Sequence, residues 1–489
     1  MSAAADKNAQ ALKALFGDAA LAGRLGSKRI AVVSPSEDTP MSGMLLAEVL
    51  ADVIGRLWPN IDFVGSSAEQ QLAVAANAAK SGGAPADGLR IQWAPPYDCV
   101  VSIGTPMLPD TGYAIQVGAN DWEVQLGSAA ACGTSDNPVG PAFAAAMVAA
   151  QVFHHVFAAE LAGMEAPLLE ECKVDLRQLF DAAKLEIGPL DVGETHVFGV
   201  GAVTHGLVWL LEHWPATVTG ELHLVDQDKY GDSNGQRYAF MRPENSGMAK
   251  VDAVKSRLHE AHPSMSVKRH QLDLNAYCAE RGYDSPLSRV IAGLDSAEAR
   301  RHTALKLPER AVNMWTEGVR IGAGKYVPGD GRACLACGYQ EKIDTPLDEV
   351  AEIYHQTAIR PDLIRSLLDS GRGLTHQEAA MVAGHRGVSP DQFVGQPLRS
   401  VLPALCATGR LQLPNNSEAV DVPFAFASLF AGIAGFVMLL KDCIEDSKVS
   451  HGWTQHIFKR PTPYMHSPQY SNAQCVCCGA MTDLVAAEC

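Results

Sequence analysis

Residues 195–215 read THVFGVGAVTHGLVWLLEHWP and residues 221–230 read ELHLVDQDKY, and the fold class turns on these two runs. An apolar strand-like stretch ends at Phe198, glycines stand at 199 and 201, and an amphipathic helix pattern follows as far as Trp214. The next apolar stretch ends at Val225 and is followed at once by Asp226 and Asp228. Strand, glycine turn, helix and strand make a βαβ unit, which predicts a parallel sheet with helices on its faces. Glycines in such a turn let the backbone approach a phosphate at the helix N-terminus, where free N–H groups and the dipole favour negative charge. A carboxylate closing the second strand suits a ribose. Taken alone the pattern is loose, because many glycine-rich turns hold nothing and a nicotinamide oxidoreductase carries the same one.

The residues downstream separate these readings. Asp232, Ser233, Asn234 and Arg237 follow the second strand, and Lys250 stands in the run Gly247-Met-Ala-Lys250. A nicotinamide cofactor has no use for these groups. A triphosphate does, since arginine forks onto two phosphate oxygens and lysine supplies a compact point charge. The plainer alternative is a set of solvated surface charges. The 489 residues carry 39 lysines and arginines against 55 acidic residues, a net charge of −16. No bulk positive field exists to gather an anion, which excludes nucleic acid and anionic membrane as expected partners. Any anion must be held by a few local cations, and Arg237 and Lys250 stand out as those.

The run D-x-D-x-x-x-x-S-N-x-x-R from Asp226 to Arg237, with Lys250 13 residues further on, resembles the ThiF/MoeB/ubiquitin-activating superfamily. That resemblance implies a Rossmann-like α/β adenylation domain that uses ATP to adenylate the C-terminal glycine of a ubiquitin-like or sulfur-carrier protein. It implies that Asp226 takes the ribose, and that Asn234, Arg237 and Lys250 hold the triphosphate. Gly199, Gly201 and Asp228 complete the cofactor-binding set. It also implies that Asp295, at the end of the strand-like run Ser288–Asp295, positions Mg2+ at the α-phosphate. Arg237 and Asp295 thereby count as catalytic. Ala202 and Val203 stand where the family has further glycine, and Tyr238 where it usually has glutamine. The family adds an arginine from the partner domain, a part that Arg24 or Arg29 is expected to play.

Twelve cysteines are too few for a disulfide scaffold of this length, and five of them cluster. Cys334-Leu-Ala-Cys337-Gly and Cys475-Val-Cys-Cys478-Gly are two C-x-x-C hooks of the kind that close on one tetrahedral Zn2+. The hooks are 138 positions apart, so the ion would pin the C-terminal tail to the domain; Cys477 stays free or replaces Cys475. A conjugating member of the resembled family needs one more cysteine to carry the acyl group as a thioester. Cys406 is the expected nucleophile, with Cys278 and Cys443 behind it. A lone cysteine in an apolar stretch is otherwise an inert core residue.

At roughly 100–200 residues per domain the chain should hold two to four compact units. Residues 27–170 show their own strand–helix alternation, with runs at 29–34, 62–66 and 97–104 and an alanine-rich helix from Asn137 to about Leu161. SPSEDTP follows the first strand in place of a glycine turn. Residues 1–185 are therefore expected to form an inactive adenylation domain, joined by a helix over 168–186 to an active ThiF-like domain over 190–489. A mostly helical insertion is expected at about 340–400, and the Cys406 crossover at about 400–420. Val422–Leu440 is 19 residues without a formal charge. Its Pro423, Ser428, Gly432 and Gly435 suit a buried core helix better than a membrane span. The N-terminus shows no secretory pattern, which predicts a cytoplasmic protein.

Tandem inactive and active copies are the arrangement of ubiquitin-activating enzymes, and the compact size resembles bacterial ubiquitin-like conjugation operons, some of which act in antiphage defence. The expected partners are a ubiquitin-like protein and a conjugating enzyme. Pairing within one chain and pairing with a second copy as a homodimer are both compatible with the sequence. Two other functions fit less well: a sulfur-carrier adenylyltransferase without a thioester, and a non-catalytic scaffold for a ubiquitin-like partner.

Overall fold

The computed structural model describes residues 7–33, 40–64, 93–104, 112–164, 166–282, 285–339, 361–383, 390–398, 424–445, 449–463, 465–466, 475 and 477–478. It divides into two compact units, one made of Met1–Gln340 with Val422–Cys489 and the other of Glu341–Asp421.

The larger unit holds two sheets. The first contains β1 (Ile30–Val33), β2 (Ile61–Val64), β3 (Cys99–Ile103), β4 (Tyr113–Asn120), β5 (Glu123–Leu126) and β6 (Cys172–Asp175), in the order β2-β1-β3-β4-β5-β6. Its first four strands are parallel and its last two antiparallel. The second contains β7 (Leu190–Phe198), β8 (Val218–Val225), β9 (Ser266–His270), β10 (Arg289–Ala292), β11 (Ala311–Glu317), β12 (Arg320–Tyr326), β13 (His451–His456) and β14 (Met465–His466). Here β9-β8-β7-β10-β11 run parallel, and β12, β13 and β14 extend the sheet antiparallel. Successive strands lie on one side of β7 while β10 lies on the other. The sheet therefore has its topological switch point between β7 and β10, where open α/β sheets bind ligands.

The helices that matter for the site are α1 (Lys7–Phe16), α2 (Met41–Gly55), α3 (Val139–Val156), α4 (Ala202–Glu212), α5 (Lys250–Ala261), α6 (Leu274–Arg281), α7 (Ala297–Leu305) and, far along the chain, α10 (Ala425–Ile444). Between them in sequence, α8 (Pro361–Ser370) and α9 (His376–Ala383) belong to the smaller unit. The two sheets repeat one scheme. In each, the helix after the first strand (α2, α4) packs on a helix just before the outer antiparallel strand (α3, α10), and α3 packs on α10. Phe143 of α3 meets Phe430 of α10 edge to face, with ring centroids 4.9 Å apart. Protein covers both helices on all sides, which explains why they are apolar all round. Both are long and apolar enough to cross a membrane, yet nine-tenths of each is buried in this core.

Close approach is achieved by glycine. A Cβ on Gly432 would lie 2.5 Å from the Val203 carbonyl and 2.8 Å from the Leu207 nitrogen, so α10 rests directly on the α4 backbone. A Cβ on Gly435 would strike the Met314 sulfur at 2.1 Å. The far end of α10 is fixed by charge: buried Asp442 meets Lys325 at 2.6 Å, Arg289 at 2.5 Å and Arg310 at 3.5 Å.

One expected element is replaced. The helix expected over 168–186 is instead strand β6 followed by a single turn, Leu176–Leu179. Cys172 and Val174 face the core while Lys173 is exposed, the period of two that an edge strand needs, and the Asp175 carboxylate caps the turn through the Arg177 and Gln178 amides. The smaller unit has a core of its own, formed by Ile364, Leu367, Leu374, Ala379, Val382, Phe393 and Leu398. A capping box starts α9: the Glu378 carboxylate accepts from the Thr375 amide at 2.8 Å, and the Thr375 hydroxyl accepts from the Glu378 amide at 3.3 Å.

Replacing Gly432 by alanine is expected to cost on the order of 1–3 kcal/mol through overpacking against backbone. Thermal unfolding of the purified variant measures this, and a melting temperature equal to that of the parent would contradict the packing described.

Candidate functional site

The site is built on the ends of β7, β8 and β10. Gly199 leaves β7 at φ +85°, a left-handed conformation that favours glycine, and a Cβ there would lie 2.7 Å from the Gly293 carbonyl. Gly293 in turn would collide with the Thr204 hydroxyl at 2.1 Å. The turn after β7 and the turn after β10 thus touch backbone to backbone. The Asp226 carboxylate, at the end of β8, accepts from the Val200 amide at 2.7 Å and from the Asp228 amide at 2.8 Å. Gly201 precedes α4, whose N-terminus has no side-chain cap. His205 braces this turn from below: Nδ1 lies 2.8 Å from the Gly201 carbonyl and Nε2 2.5 Å from the Tyr230 hydroxyl. Its burial pulls the imidazole pKa down to about 3, so it stays neutral at physiological pH.

The cations lie around this turn. Lys250 opens α5, with Nζ 2.8 Å from Asp228 and 3.6 Å from Asp226. Burial disfavours its charge, but Tyr238, Asp226 and Asp228 together raise its pKa. Asn234 folds the preceding loop, accepting from the Gly231 amide at 2.8 Å and offering its carbonyl to the amides of Arg237 and Tyr238. The Arg237 guanidinium sits 5.6 Å from the Tyr238 ring centroid, and its buried Nε has no hydrogen-bond partner among the described residues. A charged donor left unsatisfied is costly, and a phosphate oxygen would satisfy it. Asp295 is exposed two residues beyond Gly293. The sequence-predicted residues Gly199, Gly201, Asp226, Asp228, Asn234, Arg237, Lys250 and Asp295 therefore lie at the same edge of one sheet, on its β7, β8 and β10 ends and the segment that follows β8.

Arg24 and Arg29, the two arginines expected from the first half, are each paired with a carboxylate. Arg24 is engaged by Glu160 at 2.7 Å, and Arg29 by Asp62 at 2.8 Å, both within the first sheet's own surroundings. The first-sheet side brings Lys7 towards this loop. The Lys7 and Asn8 amides both donate to Gln236 Oε1, and the Lys7 amine is pulled down by burial and by the Arg237 charge. Two fully buried side chains, Asp52 of α2 and Arg56 just past its C-terminus, also reach the segment that carries Arg237. Arg56 donates to the Gly235 and Met241 carbonyls at 2.6 and 2.8 Å, and the Asp52 carboxylate accepts from Arg56, from Arg242 and from the Phe240 amide. Burial opposes the Asp52 charge, but Arg56 and Arg242 outweigh it and hold the carboxyl at about 2.

A second centre is formed by the two cysteine hooks. Cys334, Cys337, Cys475 and Cys478 bring all four sulfurs within 4.8 Å of one another, with pairs at 3.4, 3.6 and 3.8 Å. A tetrahedral ion bound at about 2.3 Å holds its sulfurs about 3.8 Å apart, so the donor set fits a metal. Cys406 lies outside the described residues. Of the other two cysteines considered as nucleophiles, burial raises the pKa of Cys278 and pushes that of Cys443 up to about 11, which disfavours the thiolate at both.

The ThiF family profile matches residues 186–437, a stretch covering more than half of the chain. The chain belongs to the ThiF family. A Sinorhizobium fredii protein, y4jF, itself uncharacterised, is 31% identical over 410 residues, covering 80% of this chain and 78% of its own length. Ubiquitin-like modifier-activating enzyme 5 of Drosophila ananassae is 27% identical over 195 residues, 37% of this chain and 46% of that protein, so the match spans less than half of that relative. Among solved structures, E. coli MccB with ATP aligns at 16% identity and a TM-score of 0.34, over 59% of this chain and 66% of that one.

The ThiF-type pattern is legible in the sequence because its spacing is local. Asp52, Arg56, Lys7 and Gln236 were not legible, because their partners are far away in sequence. The Asp52 carboxyl, held at about 2 against an ordinary value near 4, stabilises the fold fully above about pH 4, and that stability is lost as pH falls towards 2. Asp52→Asn is therefore expected to flatten the acid limb of the stability curve, measurable by chemical unfolding across that range. Cys334→Ser and Cys475→Ser are each expected to lose bound metal, measured by elemental analysis; full metal content in either would remove the four-cysteine centre.

Proposed function

We propose that this ThiF-family chain uses ATP to adenylate the C-terminal carboxylate of a ubiquitin-like protein, takes the acyl group onto Cys406 as a thioester and passes it to a conjugating enzyme. The observation that carries the adenylation step is the buried Nε of Arg237, without a hydrogen-bond partner among the described residues, next to Tyr238, which approaches the glycine turn at the switch point of the parallel sheet. In that step a carboxylate oxygen attacks the α-phosphorus while the bond to the bridging oxygen breaks, and pyrophosphate leaves with the electron pair. Anion meets anion, so the barrier is largely electrostatic. Arg237 and Lys250 supply the opposing charge, Asn234 shapes the loop that presents Arg237, and Asp226 orients the ribose. Asp295, exposed at the end of β10, would hold a magnesium ion whose charge screens the phosphate under attack. A thiolate at Cys406 then attacks the acyl carbon, and AMP leaves.

The first sheet reads as an inactive copy of the second, supported by the repeated pairing of α2 with α3 and of α4 with α10. The four-cysteine centre reads as structural zinc, because thiolates in a closed tetrahedron suit that ion. Free thiols in this number fit a reducing, cytoplasmic setting.

The test is ATP–pyrophosphate exchange by the full-length chain in the presence of a ubiquitin-like protein. Exchange is expected with the parent, and Arg237→Ala should lower it by about 100-fold. No exchange by the folded parent would overturn the adenylation reading. A gel run with and without reductant then separates the thioester step from a sulfur-carrier adenylyltransferase. A reductant-sensitive adduct lost in Cys406→Ala supports the first, and exchange without any such adduct supports the second.

A further inference from the structure

We propose that Asp52 on α2 and Arg56 at its C-terminal cap are positioning residues of the nucleotide site, setting the backbone of residues 235–242 so that Arg237 meets the outer phosphates of ATP. The inference rests on the ATP reading above and assigns the first sheet a direct part in it.

The geometry is specific. Both side chains are fully buried. Arg56 grips Asp52 with Nε and Nη2 at 2.9 and 2.8 Å, then extends Nη1 to the Gly235 carbonyl and Nη2 to the Met241 carbonyl. Gly235 precedes Arg237 by two residues and Met241 follows it by four, so the segment is held on either side of the cation. Between them Phe240 sits at φ +65°. A bulky aromatic residue adopts that left-handed conformation only where its surroundings over-determine it. Here the Asp52 carboxylate accepts from the Phe240 amide at 2.8 Å, and the Phe240 ring stacks on Trp209 with centroids 5.4 Å apart. Local preference would release the strained turn; the buried carboxylate holds it. Arg242 closes the network on Asp52, and Asn8 of α1 joins it by donating its side-chain amide to the Arg56 carbonyl at 3.2 Å and its backbone amide to Gln236 at 3.1 Å.

None of these groups has a hydrogen bond to Asp226 or to the turn at Gly199 among the described residues, the parts that the ATP reading assigns to the ribose. Loosening the segment should therefore weaken binding of the outer phosphates and spare the nucleoside monophosphate. Arg56→Lys keeps the charge but cannot fork onto Asp52 and still reach two carbonyls. Asp52→Asn keeps the shape and removes the charge. Arg289→Lys, in the separate Asp442 cluster, serves as the control for general destabilisation.

Calorimetric titration of each full-length protein with magnesium–ATP and with AMP, below the melting temperature of every variant, tests the proposal. The expected result is a loss of ATP affinity of about ten- to a hundredfold in Arg56→Lys and Asp52→Asn, with AMP affinity within about twofold of the parent and both ligands unchanged in Arg289→Lys. Should either α2 variant fail to fold, Arg242→Lys, whose side chain is partly exposed, replaces it with the same expectation. An unchanged ratio of ATP to AMP affinity in folded variants overturns the positioning role and leaves the ATP reading intact. A parent that binds neither nucleotide overturns the ATP reading and this inference with it.

Discussion

A carboxylate buried without water must be neutralised by charge and filled with hydrogen bonds, and the Asp52 carboxylate is where this chain meets that demand. Arg56 and Arg242 supply the charge, and the Phe240 amide adds a further donor. Removing any partner would leave an uncompensated ion in the interior, which is far costlier than the net gain of the intact network. The constraint is therefore strict. It binds α2, which belongs with the first sheet, to a loop that leaves the second. The two sheets are consequently parts of one compact unit rather than separate bodies joined by a linker.

A second constraint is steric and operates in the apolar core. Gly432 lets α10 lie on the backbone of α4, and Gly435 makes room for Met314. The same α10 packs on α3, and its charged end is fixed by the Asp442 cluster. Because α4 begins at Gly201, the seat of α10 sets the height at which the uncapped N-terminus of α4 faces the switch point. The contact at Gly432 thus reaches the site through α4 alone, while the Asp442 cluster at the far end of α10 meets β10 and β12 and not α4. His205 works in the same direction, tying the Gly201 carbonyl to Tyr230 with a neutral ring in the interior, where an imidazolium would be penalised.

Legibility in the sequence followed the range of the interaction. Strand β7, its glycine turn, α4 and β8 were readable because hydrophobic period and turn chemistry are local. The spacing from Asp226 to Lys250 was readable for the same reason, and so were the two hooks, since two residues between cysteines is a local geometric requirement. The stretch over 168–186 was misread because its helix-forming composition is overridden by pairing of Cys172–Asp175 with β5, a partner more than forty residues earlier. The pairing of Arg24 with Glu160 and of Arg29 with Asp62 was not legible, because each carboxylate is more than thirty residues from its arginine.

The amino-acid order by itself determined the α/β class, the βαβ unit at residues 190–225, the acidic surface that leaves anion binding to local cations, and the identity of the residues that face the switch point. Each depends on neighbours within a few turns or one strand. Only the tertiary structure decided that a helix from the first sheet holds the loop of the second and that Lys7 approaches Arg237. Those facts depend on which surfaces are brought together, and a carboxylate such as Asp52 shows its role only when the donors that surround it have arrived from elsewhere in the chain.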